Sequence, residues 1–408
     1  MHFDAVAETI RIEGTRILAT LIRTVGDVQI AEDAVQEASL AALRAWPESG
    51  VPAEPRAWLT VTARRKAIDI LRRERARVDK ERQGSELLNL GSAVVEPDHV
   101  VQDDLLRLIF TCCHPTLAPA TRVALALRTL CGLSPASIGA VMLTSEAATA
   151  KRLTRARAKI AAARIPYRVP AEAELADRLP AVCAVVHTLY TAGHAPADGE
   201  SAYDLDLCTE AIRLAELLHA LLPTQPMPAA VLSLLLLTEA RRPARLDAAG
   251  DLVTLDHQDR SRWDAAAITR GITLLNDSLT RSNRQADPYQ LQAAIAAEHA
   301  RSPTYTTTDW PEILRLYTLL LTVAPTPAAT LAHAVATAEA QDPAAALALL
   351  PQTPDARTRT IRAELLARLN RHDEAIQELT AALAEPATTA ERRHRARRLA
   401  EFKAQRTT

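Results

Sequence analysis

The chain has 408 residues, 48% of them hydrophobic and 24% charged, with a formal net charge of −1. That length is too great for one small domain, and the most apolar stretch, Val231 to Leu237, is far too short to span a bilayer. Aromatic residues are only 3%, alanine is abundant and glycine scarce, so aliphatic side chains and alanine must fill the cores and helix is favoured throughout. No run of alternating β-branched residues argues for a sheet.

The near-zero net charge hides segregation. Residues 56–82 carry ten Lys/Arg against four acids, and residues 147–170 carry seven with no acid. Such local excesses are the electrostatic footprint of a polyanion-binding surface, confined here to the first part of the chain. The five cysteines (Cys112, Cys113, Cys131, Cys183, Cys208) are odd in number and lack CxxC spacing, which predicts a reducing, cytoplasmic compartment. Met1-His2-Phe3-Asp4 lacks the basic-then-apolar pattern of a signal peptide.

In chain order, Ile17, Leu18, Leu21 and Ile22 recur at helical spacing, and after the break at Gly26-Asp27 so do Val35, Ala38, Leu43 and Trp46. Pro47 to Pro55 holds three prolines and a glycine and is expected to be a loop. Trp58, Leu59, Val61, Ala67, Ile68 and Leu71 then mark an amphipathic helix with arginines on its other side. Residues 78–99 are polar and read as a linker. A helix is expected over Ala120 to Leu130, broken at Cys131-Gly132-Leu133. Ser134 then caps a short helix with Pro135 in its first turn, and Leu143-Thr144-Ser145 is a tight turn into a longer helix from Glu146 to Ile160. Two helices joined by a three-residue turn have helix-turn-helix geometry. In the second of them Ala147, Ala150, Leu153, Ala156 and Ile160 are expected to face the core. Thr149, Lys151, Arg152, Arg155 and Arg157 are expected to point away, toward base edges and phosphates.

Pro166, Pro170 and Pro180 bracket a junction, beyond which helical patterns alternate with proline or glycine clusters to the end. Leu331 to Ala340 with Pro343 to Leu350, and Ile361 to Leu369 with Asp373 to Leu383, read as two helical hairpins about 30 residues apart, close to the tetratricopeptide period. Ala375 and Ala382 stand where close helix packing wants small side chains.

Three segments in this order carry a resemblance: Asp27 to Ala38, Pro55 to Glu74, and Ser134 to Ile160. They resemble conserved regions two and four of bacterial σ70-type sigma factors, in the extracytoplasmic-function (ECF) form that lacks region three. The resemblance covers about residues 3–165. It implies an all-α protein: a region-2 helical bundle, a region-4 helix-turn-helix domain and a C-terminal tetratricopeptide-like helical extension. The domains would run 1–77, then the linker 78–99, then 100–168, with the extension dividing into 169–300 and 301–408.

By the same resemblance Asp33, Gln36 and Glu37 would dock on core RNA polymerase. The loop before Pro55 would capture a flipped base of the −10 element. Arg56, Trp58, Arg64, Arg65, Lys66, Arg72 and Arg73 would melt and hold the −10 strand. Ser145, Glu146, Thr149, Lys151, Arg152 and Arg155 would read the −35 element. The implied partners are core polymerase, through its β′ clamp and β flap, and promoter DNA, with an intramolecular contact between the extension and the sigma regions. No membrane, cofactor, metal or catalytic role is implied. The segments Leu189 to His194, Asp256 to Asp264 and Pro288 to Ala297 resemble those of a sigma subgroup with such an extension. That subgroup has a phrase like Asn-Glu-Gly-Tyr where this chain has Thr191-Ala192-Gly193-His194.

Two other readings are open to the sequence. A conventional helix-turn-helix regulator with a helical sensor accounts for Ser134 to Ile160 but leaves Asp27 to Arg73 unexplained, and copurification with core polymerase separates the two. A metal enzyme would use His187, His194, Asp198 and Glu200, or Cys112-Cys113-His114. The first pair of histidines shares a helical face only if the helix continues through Gly193, which is not expected. No GxSxG, Walker or GxGxxG pattern is present.

Overall fold

The computed structural model describes residues 3–78, 98–142, 144–163, 165, 167–196, 199–282, 286–352 and 354–406. Nearly all of the linker read at 78–99, Leu143 of the tight turn, Pro166 of the junction and Asp198 of the metal reading lie outside them. Among the described residues the protein is all-helical, with only two isolated β-bridges, and no helix is long and apolar enough to cross a membrane. The chain divides into two compact units, Met1–Val185 and Val186–Thr408.

In the first unit, α1 (Phe3–Val25), α2 (Val28–Ser49) and α3 (Pro55–Val78) form a three-helix bundle, with α4 (Asp98–Cys112) against α1. Its core takes Ile17, Leu18, Leu21 and Ile22 from α1, Ile30, Ala34, Ala38 and Trp46 from α2, and Leu59, Ala63 and Ala67 from α3. Alanines at the crossings let the backbones approach where aromatic filling is scarce. Asp27 caps α2 by accepting the Ile30 N–H at 3.0 Å. The expected Pro47–Pro55 loop is shorter than the sequence implied. Pro47 lies inside the last turn of α2, and the helix stops only at Gly50, whose φ of 82° suits glycine and whose N–H still bonds Trp46 O. Proline there forfeits a single backbone bond near an end that frays anyway.

The helix-turn-helix is built from α5 (Pro119–Thr129), α6 (Pro135–Val141) and α7 (Glu146–Ala162). Ser134 and Ser145 cap α6 and α7, accepting from Ser137 N at 3.1 Å and Ala148 N at 3.2 Å. The following α8 (Glu172–His194) carries Pro180 internally and spans the division between the units. Its first half is fixed to α4 by Arg178, which donates to Phe110 O at 2.8 Å and lies over the Phe110 ring.

The second unit continues through α9 (Leu205–Leu221), α10 (Pro226–Glu239), α11 (Ala265–Arg281), α12 (Pro288–Arg301), α13 (Trp310–Val323), α14 (Pro327–Ala340), α15 (Pro343–Ala348), α16 (Ala356–Arg368), α17 (His372–Leu383) and α18 (Thr389–Arg406). Consecutive helices pack on each other in hairpin succession. Proline in the first turn or an aspartate cap starts most of them, as at Asp287, Asp309 and Asp342. The α10 helix is central, with Ala229 to Leu237 buried. Both hairpins expected near the end are present as α14–α15 and α16–α17, and Ala375 and Ala382 are fully buried.

Contrary to the sequence reading, α8 does continue through Gly193. A Cβ there would lie 2.8 Å from Asp204 O and from Leu207 Cβ, and Asp204 N donates to Gly193 O at 2.8 Å. The glycine is spent on the close approach of α9, not on breaking the helix.

Candidate nucleic-acid interface

On α2 the buried alanines at 31, 34, 38 and 42 turn Gln36 and Glu37 to solvent and leave Asp33 half-buried. Asp33 accepts from Gln29 Nε2 at 3.3 Å. Glu37 pairs with Lys66 of α3 at 3.0 Å, and that hydrogen bond holds its carboxyl below the usual range. One residue of each expected group, polymerase-facing Glu37 and DNA-facing Lys66, is therefore engaged with the other.

On α3, Arg65, Arg72 and Arg73 are exposed. Arg64, Lys66, Arg56 and Trp58 are half-buried. Arg56 lies 3.8 Å from Glu13. Trp58 meets the buried Trp46 edge-on, with centroids 5.5 Å apart. That contact pins one edge of the Trp58 ring while part of its surface stays open.

In the helix-turn-helix, Gly139 sets the spacing. A Cβ there would meet Thr144 O at 2.7 Å, so only glycine lets α6 close on the turn. Sequence reasoning missed it. Ser145, Glu146, Lys151 and Arg155 are exposed; Arg152 is half-buried, its guanidinium against Met142 Sδ.

Thr149 corrects the expected face. It is fully buried, and its hydroxyl lies 2.9 Å from that of Thr144, so it closes the turn and cannot reach a base. The buried stripe is Thr149, Leu153 and Ala156, while Ala147 and Ala150, expected in the core, are exposed. Residues 149, 153 and 156 follow the 4,3 spacing of one helical face, a signal hidden by the polarity of threonine.

Arg157 is not free for DNA either. It forms an ion pair with Glu32 of α2, a nearly sealed carboxylate that also accepts from Thr129 Oγ1 at 3.1 Å. A second polar joint sits at Asp104, fully buried, which accepts from Arg23 Nε at 2.9 Å and Arg107 Nη1 at 2.6 Å. Tyr167 OH lies 2.8 Å from Ala19 O and 3.1 Å from Asp104 O, and burial with the neighbouring Asp104 pushes its phenol far above the usual range. Thr15 Oγ1 donates to Leu130 O at 3.0 Å. Together these bonds tie the α1–α2 face to the helix-turn-helix. Nothing in the sequence signalled them, because their partners stand 63 to 148 residues apart, save for Arg107–Asp104.

The histidines of the metal reading serve packing. His187 meets Tyr289 edge-on and His194 stacks on Tyr190. Among the described residues no cluster of three or more His, Cys, Asp or Glu could hold a metal ion, and all five cysteines are buried.

Family comparisons match "Sigma-70 region 2" at residues 10–77, "Sigma-70, region 4" at 107–160, and a "Family of unknown function (DUF6596)" at 178–279. The chain is 39% identical to Uncharacterized protein R00370 of Rhizobium meliloti (strain 1021) over 337 residues, 82% of this chain and 79% of that protein. It is 33% identical over 180 residues to Probable ECF RNA polymerase sigma factor SigI of Mycobacterium tuberculosis, 43% of this chain and 61% of that protein. No solved structure matches the chain.

Proposed function

The chain belongs to the ECF type of the sigma-70 family, with a long helical C-terminal extension, and we propose how its parts divide the work of directing core RNA polymerase to promoters. The exposed edge of α2, with Asp33, Gln36 and Glu37, docks on the β′ clamp. The open cations of α3, Arg65, Arg72 and Arg73, hold the phosphates of the melted −10 strand, and Trp58 offers the free part of its ring to an unstacked base. The exposed start of α7, with Ser145, Glu146, Lys151 and Arg155, enters the major groove at the −35 element. The region-4 domain also meets the β flap. These duties are binding duties, carried out in the cytoplasm, and no step requires catalysis by this chain. The observation that carries the reading is the capped helix-turn-helix with Lys151 and Arg155 outward, preceded by a bundle in which α2 exposes Gln36 and Glu37 and α3 exposes Arg65, Arg72 and Arg73.

The Arg157–Glu32 pair adds a constraint. Glu32 lies one turn before Gln36, about 40° away around α2 at 100° per residue. With α7 held there, the recognition helix sits beside the polymerase-facing helix, whereas the two promoter elements it serves lie apart along the DNA. Engagement of both elements therefore requires regions two and four to separate. The extension contacts the sigma regions or polymerase and sets how readily this happens.

The test is runoff transcription with purified chain, core polymerase and promoter fragments selected by the holoenzyme. A defined start site that depends on the chain supports the reading, and its absence refutes it. A chain ending at Val185 keeps the Arg178–Phe110 contact of α8. Higher activity from it assigns the extension an inhibitory role, and lost activity assigns a required one.

A further inference from the structure

Two of the segments of the extension singled out in the sequence, 189–194 and 256–264, meet near Arg241 at the end of α10, together with His299 of α12 just beyond the third. Asp264 N donates to Ala240 O at 2.9 Å, which lays the 259–264 loop beside that helix end. Arg260 of the loop lies over the Trp263 ring at 4.8 Å and donates to His299 O of α12 at 2.7 Å and to Thr308 Oγ1 at 3.3 Å. From α8, His194 stacks on Tyr190 and is hydrogen-bonded by Arg245, whose guanidinium lies 4.9 Å over Tyr203.

This cluster holds more cations than anions. Arg245 bonds an imidazole, and Arg260 bonds carbonyls and a hydroxyl. The Arg241 side chain has no hydrogen bond or ion pair among the described residues, and its Nε is sealed from solvent without a partner. Arg241 is close enough to Arg245 and Arg260 to be repelled by both. The neighbouring acid, Glu239, is already shared between Arg242 and Tyr190. Two further buried nitrogens on neighbouring residues lack partners: His299 Nδ1, on a residue only 8% exposed, and Trp263 Nε1. His299 and His194 are held neutral by burial and by these arginines, so they add no counter-charge and can serve as hydrogen-bond partners. Buried cations are ordinarily paired, because an unpaired one forfeits hydration for nothing in return. A site that gathers three guanidinium groups, leaves one wholly unbonded and surrounds them with flat rings is short of an anion.

We propose that the centre of the second unit binds a small organic anion, a carboxylate or phosphate carried on a planar apolar body, gripped by Arg241, Arg245 and Arg260. Guanidinium forks match the paired oxygens of either group, and guanidinium planes that already stack on Trp263 and Tyr203 stack equally on a planar body. The sealed Arg241 Nε and His299 Nδ1 favour a small molecule over a peptide, whose backbone would need a wider opening. The proposal stands apart from the sigma reading, since binding is measured without polymerase or DNA.

The experiment titrates the full chain with phenyl phosphate, benzoate and inorganic phosphate, with phenol as the uncharged control. Calorimetry and tryptophan fluorescence report binding, and thermal melting reports stabilisation. Saturable binding of phenyl phosphate or benzoate, absent for phenol, is expected. Arg241→Gln should weaken it at least tenfold while raising the melting temperature of the unliganded chain, because an uncompensated charge is gone. Arg245→Gln gives an independent reading should the first variant fold poorly. Inorganic phosphate binding as tightly as phenyl phosphate overturns the planar body. The whole proposal falls if wild type binds none of the three anions saturably, or if both variants bind as wild type does.

Discussion

Replacing Arg157 with alanine tests the joint between regions two and four. Glu32 has 6% of its side chain exposed and Arg157 has 19%, so the pair is nearly dry. Removing one partner of a buried pair costs about 3–5 kcal/mol, mostly the penalty of leaving the other charge stranded. Thr129 still donates to Glu32, which puts the expected loss at about 3 kcal/mol, the lower end of that range. Hydrogen exchange read by mass spectrometry on peptides from α2 and α7 isolates the first unit. Amides that exchange through its global opening should do so roughly 100-fold faster, at about 1.4 kcal/mol per decade. Glu32→Gln added to Arg157→Ala should recover more than half of the loss, since a neutral amide accepts from Thr129 without a stranded charge. If Arg157→Ala costs under about 1 kcal/mol, the range of a surface ion pair, or if the second substitution recovers nothing, the joint does not bear on the stability of the unit.

Three further outcomes follow from the geometry. Gly139→Ala should destabilise the first unit by about 1–3 kcal/mol, the usual effect of overpacking, because its Cβ would lie 2.7 Å from Thr144 O; urea unfolding measures it, and an unchanged midpoint contradicts the close approach. Lys151→Ala with Arg155→Ala should reduce the slope of log affinity against log salt for holoenzyme on promoter DNA by about 1.8, at roughly 0.9 per lost phosphate contact, and an unchanged slope removes α7 from the interface. Burial pushes His299 down to about 3 and His194 down to about 2, both below the unfolded value near 6.5, so the unfolded chain binds protons the folded one refuses. Stability is then full above about pH 6.5 and falls as pH drops toward 5, and calorimetry in buffers of differing ionisation enthalpy should show proton uptake on unfolding at pH 5.5, reduced in His299→Gln.

The helix-turn-helix was legible because its signals are local. Ser134 and Ser145 each cap a helix within three residues, and Pro135 fits a first turn whose N–H needs no partner. Where the reading failed, polarity had been allowed to outrank spacing. Thr149 shares a face with Leu153 and Ala156 by the helical period, yet its hydroxyl suggested an outward role that burial denies. Pro47 and Gly193 failed for a related reason. Both residues break helices on average, but Pro47 sits in a terminal turn and Gly193 under a crossing helix, where neither breaks anything. Glu32, Asp104 and Tyr167 were illegible in principle, since what makes each of them matter is a partner far away in the chain.

The same long-range pairing revises what the basic patch over 147–170 can do. Of its seven cations Arg164 lies outside the described residues. Arg157 is held by Glu32, Lys159 donates to Thr116 O at 2.5 Å, Arg168 pairs with Glu174 at 2.7 Å, and Arg152 rests on Met142. Lys151 and Arg155 remain exposed on the recognition helix. Two phosphate contacts give a salt slope of only about −1.8, so affinity changes about twelvefold between 50 and 200 mM salt, against 10³-fold or more for proteins that make six or more such contacts. On the −35 contact proposed above, the helix-turn-helix with region four held against α2 is therefore expected to bind duplex weakly. Separation of the two regions releases Arg157 and uncovers the α2 surface beside Gln36 in a single event. On the docking proposed above, the ion pair would couple promoter affinity to polymerase binding: a clamp taking the α2 surface would displace α7 from Glu32, and the freed arginine would raise the charge α7 offers to DNA from two to three.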